Sequence, residues 1–448
     1  MISSDIIKTM SNRSDYNENI NSFNDKIVVT GMGLVCPLSR YDDENVSQVF
    51  DRLMKGESGI RKIQKFNVQG AAGYCSIAGE LDELPLENIM TPAELRRNGR
   101  FIHHAVLAAS RALKSAGLCD DVIAANYQQF NKERAAVIIG SGIGGIDEMY
   151  HASLALSENR RLSPFFVPSC LINLAASVIS IKFGLKGATK AVVTACASGA
   201  HSIIEAYYML KNNHADVVLA GGAEGSICRL GMEGFAAMNA LASGFNDHPT
   251  KASRPYDTAR SGFVMGEGAG VLVLERLEHA LARGAKIYAS LEGFGASADA
   301  DHITTPNYMG AVASIEQALE MAKVDSVGHI NAHATSTPAG DASELKAFKH
   351  VFGEKLLGIP ITANKGSIGH LLGAAGGVEA IFTIMSLQSN IVPPTLNLEH
   401  LDPQAYINDQ AFLIKNEVQS TQGTYKDYAL STSFGFGGTN ASLIFKKY

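Results

Sequence analysis

The amino-acid sequence predicts an α/β protein made of two similar halves. Short apolar or β-branched runs bounded by glycine alternate with helix-length stretches, the pattern of strands buried on both faces. Gly is plentiful, at 43 of 448 residues, and Pro is scarce, at 13, as close backbone approaches inside a packed fold require. The order of motifs in the first part of the chain also recurs in the second.

Residues 1–25 are rich in Ser, Asn and Asp and lack apolar periodicity, so they read as a disordered tail. Asp5, Asp15, Glu18 and Asp25 in this tail argue against a mitochondrial transit peptide, and no secretory signal is visible. Order begins at Ile27-Val28-Val29-Thr30, which runs into Gly31-Met32-Gly33. Further strands are expected at Ala135–Ile139, Ala191–Thr194, Val217–Ala220, Gly270–Leu274, Ile287–Leu291 and Leu443–Phe445. Helices are expected at Arg100–Ala116, His201–Lys211, Met309–Ala322 and Ala342–Val351. Three fragments pair across the chain. Val29–Gly33 matches Leu291–Gly295, Val192–Gly199 matches Ile361–Gly369, and Gly266–Leu272 matches Phe436–Leu443. The offsets differ, which excludes a solenoid. The expected division is 26–285 and 286–448, with insertions in the first half and a site drawing residues from both.

Composition narrows the function. Charged residues are 18% and hydrophobic residues 46%, which excludes a solvating or disordered chain. Net charge is −6, from 38 basic and 44 acidic residues, so no global footprint for nucleic acid exists. The six cysteines are scattered without CxxC or Cys/His metal spacing; neither a disulfide framework nor a metal site is expected, and the compartment reads as reducing. The uncharged stretch 162–181 contains Pro164, Pro168 and Asn173 and reads as buried core, not a membrane span.

Three segments carry candidate chemistry. Cys196 lies where Ala191-Val192-Val193-Thr194 meets a small-residue turn and a helix. A thiol there feels the positive end of the helix dipole, which favours thiolate, and free N–H groups can hold an oxyanion. His333 ends an apolar run and faces a hydroxyl-rich loop. Asp341 beyond it serves either as a helix N-cap, with Glu344 completing a capping box, or in catalysis. Lys365 and His370 flank Gly366-Ser367-Ile368-Gly369, before a small-residue helix suited to close packing. A buried Lys365 needs an acidic partner, and Glu344 is the candidate. The Gly-rich run Ser433–Asn440 lacks the Gly-Lys-Ser/Thr ending of a phosphate loop and reads as flexible backbone near the centre.

Together these motifs resemble the β-ketoacyl-acyl-carrier-protein synthases, from about Lys26 to Lys447. The resemblance rests on the Cys turn, His333-Ala334-Thr335-Ser336-Thr337-Pro338-Ala339-Gly340-Asp341, Lys365 followed by Gly369-His370-Leu371-Leu372-Gly373-Ala374-Ala375-Gly376, and Gly435-Phe436-Gly437-Gly438-Thr439-Asn440. Gly140–Gly145, with Ile143, and Ser163–Pro168 resemble the synthase II type. The resemblance implies a thiolase-like fold, two pseudo-duplicated α/β halves in a five-layer αβαβα arrangement. It implies that Cys196 carries an acyl chain as a thioester. Malonyl-acyl-carrier protein then loses CO2 and condenses with that chain, in fatty-acid elongation. His333 and His370 would stabilise the enolate, and the N–H groups of Cys196 and Phe434 would form the oxyanion hole. Lys365, paired with Glu344, would hold His370. Thr335 and Thr337 would bind phosphopantetheine. Ile143 would gate the acyl pocket and Phe434 the approach to Cys196. No cofactor is implied.

The acidic carrier protein implies a basic landing patch. Arg96, Arg97 and Arg100 lie together, as do Arg160 and Arg161, and they read either as solvated arginines or as that patch. Resemblance in position favours Arg96, Arg97 and Arg161. A homodimer is implied. The compartment is expected to be cytoplasmic, with the mitochondrial matrix as alternative because Asn364-Lys365-Gly366 resembles mitochondrial members. Ala334 stands where Gly is common, and Thr432 where Asn is common. Alternative functions are a ketosynthase of a polyketide or specialised-lipid pathway, or a non-catalytic chain-length partner subunit, which Cys196, His333 and His370 argue against.

Overall fold

The computed structural model describes residues 26–41, 45–68, 75–119, 130–421 and 425–448. The tail at 1–25 lies outside the described residues. The first half runs β1 (Ile27–Val35), α1 (Arg100–Ser115), β2 (Ala135–Gly140), α2 (Leu174–Phe183), β3 (Thr189–Lys190), α3 (Ser198–Lys211), β4 (Val217–Glu224), β5 (Gly268–Arg276). The second runs β6 (Ala289–Ala298), α4 (Tyr308–Ala322), β7 (His329–Asn331), α5 (Pro338–Phe352), β8 (Ile361–Thr362), α6 (Ala375–Ser389), β9 (Tyr428–Gly435), β10 (Thr439–Lys447). The two successions are the same.

The sheets repeat too. The order is β3-β2-β4-β5-β1 in the first half and β8-β7-β9-β10-β6 in the second. In each, four strands run one way and the fourth in that order, β5 or β10, runs against them. The sheets meet edge to edge through two residue pairs, Val28 with Ser290 and Val29 with Ala289. Helices α1 and α2 cover the outer face of the first sheet, and α4 and α5 that of the second. Helices α3 and α6 lie between the sheets, where Ile203, Ile204, Val378 and Ile381 share one core with strand residues from both. The result is a five-layer thiolase-like α/β fold.

Glycine marks the matched positions because strand and helix backbones nearly touch there. A Cβ on Gly33 would lie 2.1 Å from the carbonyl oxygen of Ala108 in α1, and one on Gly295 would lie 1.9 Å from that of Ser314 in α4. The central helices meet the same way: a Cβ on Gly199 would lie 2.8 Å from the backbone nitrogen of Gly377.

Three expectations need correction. Residues 191–194 are not strand; β3 ends at Lys190. Thr194 gives its N–H to Ser198 Oγ (2.9 Å), so the chain has already turned toward α3. Helix α5 begins at Pro338 and not at Ala342, because Thr337 caps it, accepting from Gly340 N at 3.2 Å. The apolar stretch 162–181 is not wholly core. Ala175, Ala176 and Ile179 are buried, but Val167 is 58% and Ile181 78% exposed. It forms short helices with one face on the core and an apolar face outward.

Gly295→Ala is expected to lower unfolding free energy by about 1–3 kcal/mol, the cost of forcing atoms into a packed contact. Thermal or denaturant unfolding measures it, and a change near zero would show that β6 can separate from α4 without cost.

Candidate active site

Cys196 sits on the turn that ends at α3. The turn is tight: Ala195 has φ 49°, an unusual conformation for a residue with a side chain. Left-handed non-glycine residues recur around the site, at Ser336 (φ 68°) after His333 and Leu372 (φ 48°) after His370. Contact between α3 and α6 brings the Cys196 turn against the His370 turn, each turn leading into its own central helix. Cys196, His333, His370, Thr335, Thr337 and Phe434 line one cavity of about 630 Å³. Its walls come from both halves, with Phe235, Met238 and Asn239 from the first and Asp299, Ile303 and Asn307 from the second.

The two imidazole rings stand edge to face, 5.3 Å between centroids. Phe263 packs edge-on against His370 at 5.4 Å and Phe434 against His333 at 5.8 Å. The His370 backbone is clamped, its N–H donating to Val264 O (2.7 Å) and its carbonyl accepting from Gly266 N (2.8 Å). Burial, reinforced by the Lys365 cation, holds both imidazoles well below the usual histidine range, so both are neutral at physiological pH. Each Nδ1 lacks a partner among the described residues.

Burial pushes the Cys196 thiol up to about 12, against the opposing pull of Lys365, of the Phe436 N–H and of its own N–H. The helix-dipole expectation of a resting thiolate is therefore corrected: in this closed pocket desolvation outweighs the dipole, and the resting group is the thiol.

The N–H aimed at Cys196 sulfur is that of Phe436, not Phe434. The hairpin explains the offset. Phe434 pairs with Asn440 and Gly435 with Thr439, the last rung of the β9–β10 ladder. Phe436 is the first residue past the ladder, so its N–H is not spent on strand pairing. Gly435 lets the hairpin reach the nucleophile turn, since a Cβ there would lie 2.6 Å from Thr194 O. Phe436 is also 38% exposed, whereas Phe434 packs on the His333 ring.

Lys365 is 1% exposed and its ammonium pairs with Glu379 of α6, not with Glu344. Glu344, 2% exposed, instead receives four donors. His333 N and Thr432 Oγ1 reach Oε1, each at 2.8 Å. Ala334 N (2.8 Å) and the Tyr256 hydroxyl (3.1 Å) reach Oε2. Asp341 is not the cap of α5. It is buried within the first turn, accepting from Tyr256 N (2.9 Å) and Ser336 N (3.1 Å), with Arg260 Nε at 3.5 Å. Burial raises its carboxyl to about 7 despite that guanidinium. Glu224, another buried acid, ties the two halves beside Cys196 by accepting from Gly142 N (2.8 Å) and Gly373 N (3.0 Å). Glu379, Glu224, Tyr256 and Thr432 are the partners that sequence reasoning missed. A lone acid inside the apolar run Val378-Glu379-Ala380-Ile381 is the signal that points to Glu379.

Ile143 does not line this cavity; it packs on the apolar cluster that holds Cys196, Met232, Phe263 and Leu372. Thr335 and Thr337 share a hydrogen bond of 2.9 Å at the wall. Arg96, Arg97 and Arg161 are all exposed. Arg97 lies over the Phe165 ring at 4.5 Å, joining its helix to the 163–168 segment. Arg100 turns inward to Glu267 (2.7 Å), and Arg160 pairs with Glu158.

Comparison with known proteins settles the family. The model of the β-ketoacyl synthase N-terminal domain matches residues 24–280, and that of the C-terminal domain matches 288–399. The chain belongs to the β-ketoacyl synthase family. It is thus a condensing enzyme of the acyltransferase class. Curated relatives include 3-oxoacyl-[acyl-carrier-protein] synthase 2 of Rhizobium meliloti, 44% identical over 94% of this chain and 99% of its own. The mitochondrial 3-oxoacyl-[acyl-carrier-protein] synthase of Arabidopsis thaliana is 43% identical, over 94% and 93%. Among solved structures, a β-ketoacyl synthase from Burkholderia phymatum aligns with TM-score 0.83 at 31% identity, over 94% of this chain and 99% of its own. A type II polyketide ketosynthase bound to its acyl-carrier protein aligns with TM-score 0.81 at 28% identity, with the same coverage. Among the described residues no helix is long and apolar enough to cross a membrane.

Lys365→Met is expected to cost about 3–5 kcal/mol of stability, since it strands a buried carboxylate. A double-mutant cycle should give a larger coupling for Lys365 with Glu379 than with Glu344; the reverse order would overturn the pairing.

Proposed function

We propose that this enzyme condenses malonyl-acyl-carrier protein with an acyl chain held on Cys196, with loss of CO2, as a 3-oxoacyl-[acyl-carrier-protein] synthase II of fatty-acid elongation. The observation that carries this reading is one cavity holding a thiol under a backbone N–H and two neutral imidazoles. In the first half-reaction Cys196 sulfur attacks the thioester carbonyl of acyl-carrier protein. The thiol proton leaves as the bond forms and passes to the departing carrier sulfur. The carbonyl oxygen becomes an oxyanion, held by the N–H groups of Cys196 and Phe436. The carrier thiol leaves, taking the proton.

In the second half-reaction malonyl-carrier protein loses CO2 and leaves an enolate. Its oxygen accepts hydrogen bonds from His333 and His370, which serve as neutral donors because burial and Lys365 keep them from ionising. The enolate carbon attacks the Cys196 thioester, giving 3-oxoacyl-carrier protein and returning the Cys196 sulfur for reprotonation. The attacking electron pairs come from the Cys196 sulfur and from the malonyl C–CO2 bond, and nothing is oxidised or reduced, so the chemistry needs no added cofactor. Lys365, fixed by Glu379, supplies the field. Glu344 and Asp341 shape the His333 loop, and Thr335 and Thr337 meet the pantetheine amides at the wall.

The carrier protein is expected to land on Arg96, Arg97 and Arg161. A second copy of the chain is expected against exposed apolar residues such as Val167, Ile181 and Val193 and against β3, the strand that ends the sheet. The polyketide alternative is disfavoured because the type II polyketide ketosynthase is 28% identical, against 40–44% for relatives named 3-oxoacyl-[acyl-carrier-protein] synthase 2. The non-catalytic alternative is disfavoured by the intact Cys196, His333 and His370. The compartment is read as cytoplasmic, as a bacterial-type enzyme; the mitochondrial matrix remains the alternative, supported by the Arabidopsis relative.

Cys196→Ala should abolish acyl transfer, and His333→Ala or His370→Ala should slow malonyl decarboxylation more than acylation of Cys196. Mass spectrometry of the acyl-enzyme and of released acyl-carrier protein separates the two; wild-type condensation by Cys196→Ala would sink the assignment. Ile143→Gly should shift product length, read with a panel of acyl-carrier proteins, and an unchanged distribution removes Ile143 from the gate.

A further inference from the structure

We propose that Thr432 is a positioning residue for the decarboxylation half-reaction: its hydroxyl, with that of Tyr256, completes the donor set of Glu344 and so fixes the backbone from which His333 reaches the substrate. This rests on the reading of His333 as an enolate stabiliser.

Thr432 lies on β9, two residues before Phe434 and four before Phe436. Its Oγ1 donates to Glu344 Oε1 at 2.8 Å and accepts from His333 N at 3.0 Å. The His333 N–H is thus shared between that hydroxyl and Glu344 Oε1 itself, at 2.8 Å. One side chain therefore touches both the strand that presents Phe436 to sulfur and the loop that presents His333. On the other carboxylate oxygen sits the Tyr256 hydroxyl, which comes from the first half of the chain. Tyr256 is fully buried and holds φ 63°, a strained backbone for a bulky residue. Its hydroxyl is pushed well above the ordinary tyrosine range by burial first and by Glu344 and Asp341 next, so it remains a donor.

A buried carboxylate with four donors is satisfied at each oxygen, and removing one leaves the desolvation cost uncovered. The groups facing Glu344 are Tyr256, Asp341 on its own helix, the Lys365–Glu379 pair and the neutral His333. Burial raises the Glu344 carboxyl, and the Ala334 N–H, the Thr432 hydroxyl and the His333 N–H together with Lys365 oppose that rise. Losing the Thr432 hydroxyl raises it further. The anion is then lost at a higher pH as pH falls.

The test compares Thr432→Val, which keeps shape and removes the hydroxyl, with Thr432→Ser, which keeps it. Malonyl decarboxylation is read as CO2 release, and Cys196 acylation by mass spectrometry. Thr432→Val should slow decarboxylation roughly ten- to a hundredfold while acylation changes by less than about threefold, as expected for one hydrogen bond to a charged group. The acid limb of its pH profile should move to higher pH, and Thr432→Ser should restore both rate and profile. Equal losses in the two half-reactions, or no rescue by Ser, overturn the proposal. Should Thr432→Val not fold, Tyr256→Phe removes the opposite donor and must move rate and acid limb in the same direction. His333→Ala separates the two levels. If it leaves decarboxylation intact, the underlying reading fails; if it slows decarboxylation and Thr432→Val does not, only the positioning role fails.

Discussion

The close packing of α3 on α6 is the constraint on which the site depends. Each central helix carries one of the chemical loops at its N-terminus. Cys196 precedes α3 and His370 precedes α6. Gly199 and Gly377 allow backbone contact at that end, so the two loops meet in one cavity. A side chain at either position would hold the helices apart by the width of a methyl group, and the thiol and imidazole would separate with them. The sheets alone cannot set this distance, because each sheet sits on one side of the helix pair.

Around that contact the protein buries an unusual amount of charge. Glu224, Glu344, Asp341, Glu379 and Lys365 all lie at or below 2% exposure. Each has a bonding partner that crosses between loops or halves, and together they form a frame that costs desolvation and returns fixed geometry. The catalytic side chains themselves are neutral. Charge in this site holds loops in place, and the chemistry runs on groups that burial has stripped of charge.

Much of this was legible in the sequence. Strands and central helices follow from β-branched runs and glycine turns, and the duplication follows from the pairs Val29–Gly33 with Leu291–Gly295 and Gly266–Leu272 with Phe436–Leu443, because backbone contact admits glycine at equivalent places in both halves; Val192–Gly199 and Ile361–Gly369 are not equivalent, since Gly199 lies inside α3 whereas Gly369 precedes α6. Cys196, His333 and His370 stand on short turns whose neighbours are small, so their place on a common cleft is a local property. Partners of buried groups are a different matter. Motif order points Lys365 to Glu344, yet the ion pair is made with Glu379, 14 residues along, across a turn whose path depends on tertiary packing. Phe434 and Phe436 are chemically alike, and hairpin register, not composition, decides which N–H faces sulfur. The thiol's protonation state also eluded local reasoning, since depth of burial is a global quantity.

The joint between the sheets has a consequence for heat resistance. Among the described residues the pairs Val28–Ser290 and Val29–Ala289 stitch β1 to β6, and the rest of the registration between halves falls to packing in the middle layer and to bonds around the site such as His370 N to Val264 O and Gly373 N to Glu224. Each sheet, by contrast, is a five-stranded unit with its own outer helices. Heat that loosened this joint would part the halves while each sheet kept its own ladder, and the cavity they share would be lost before the sheets.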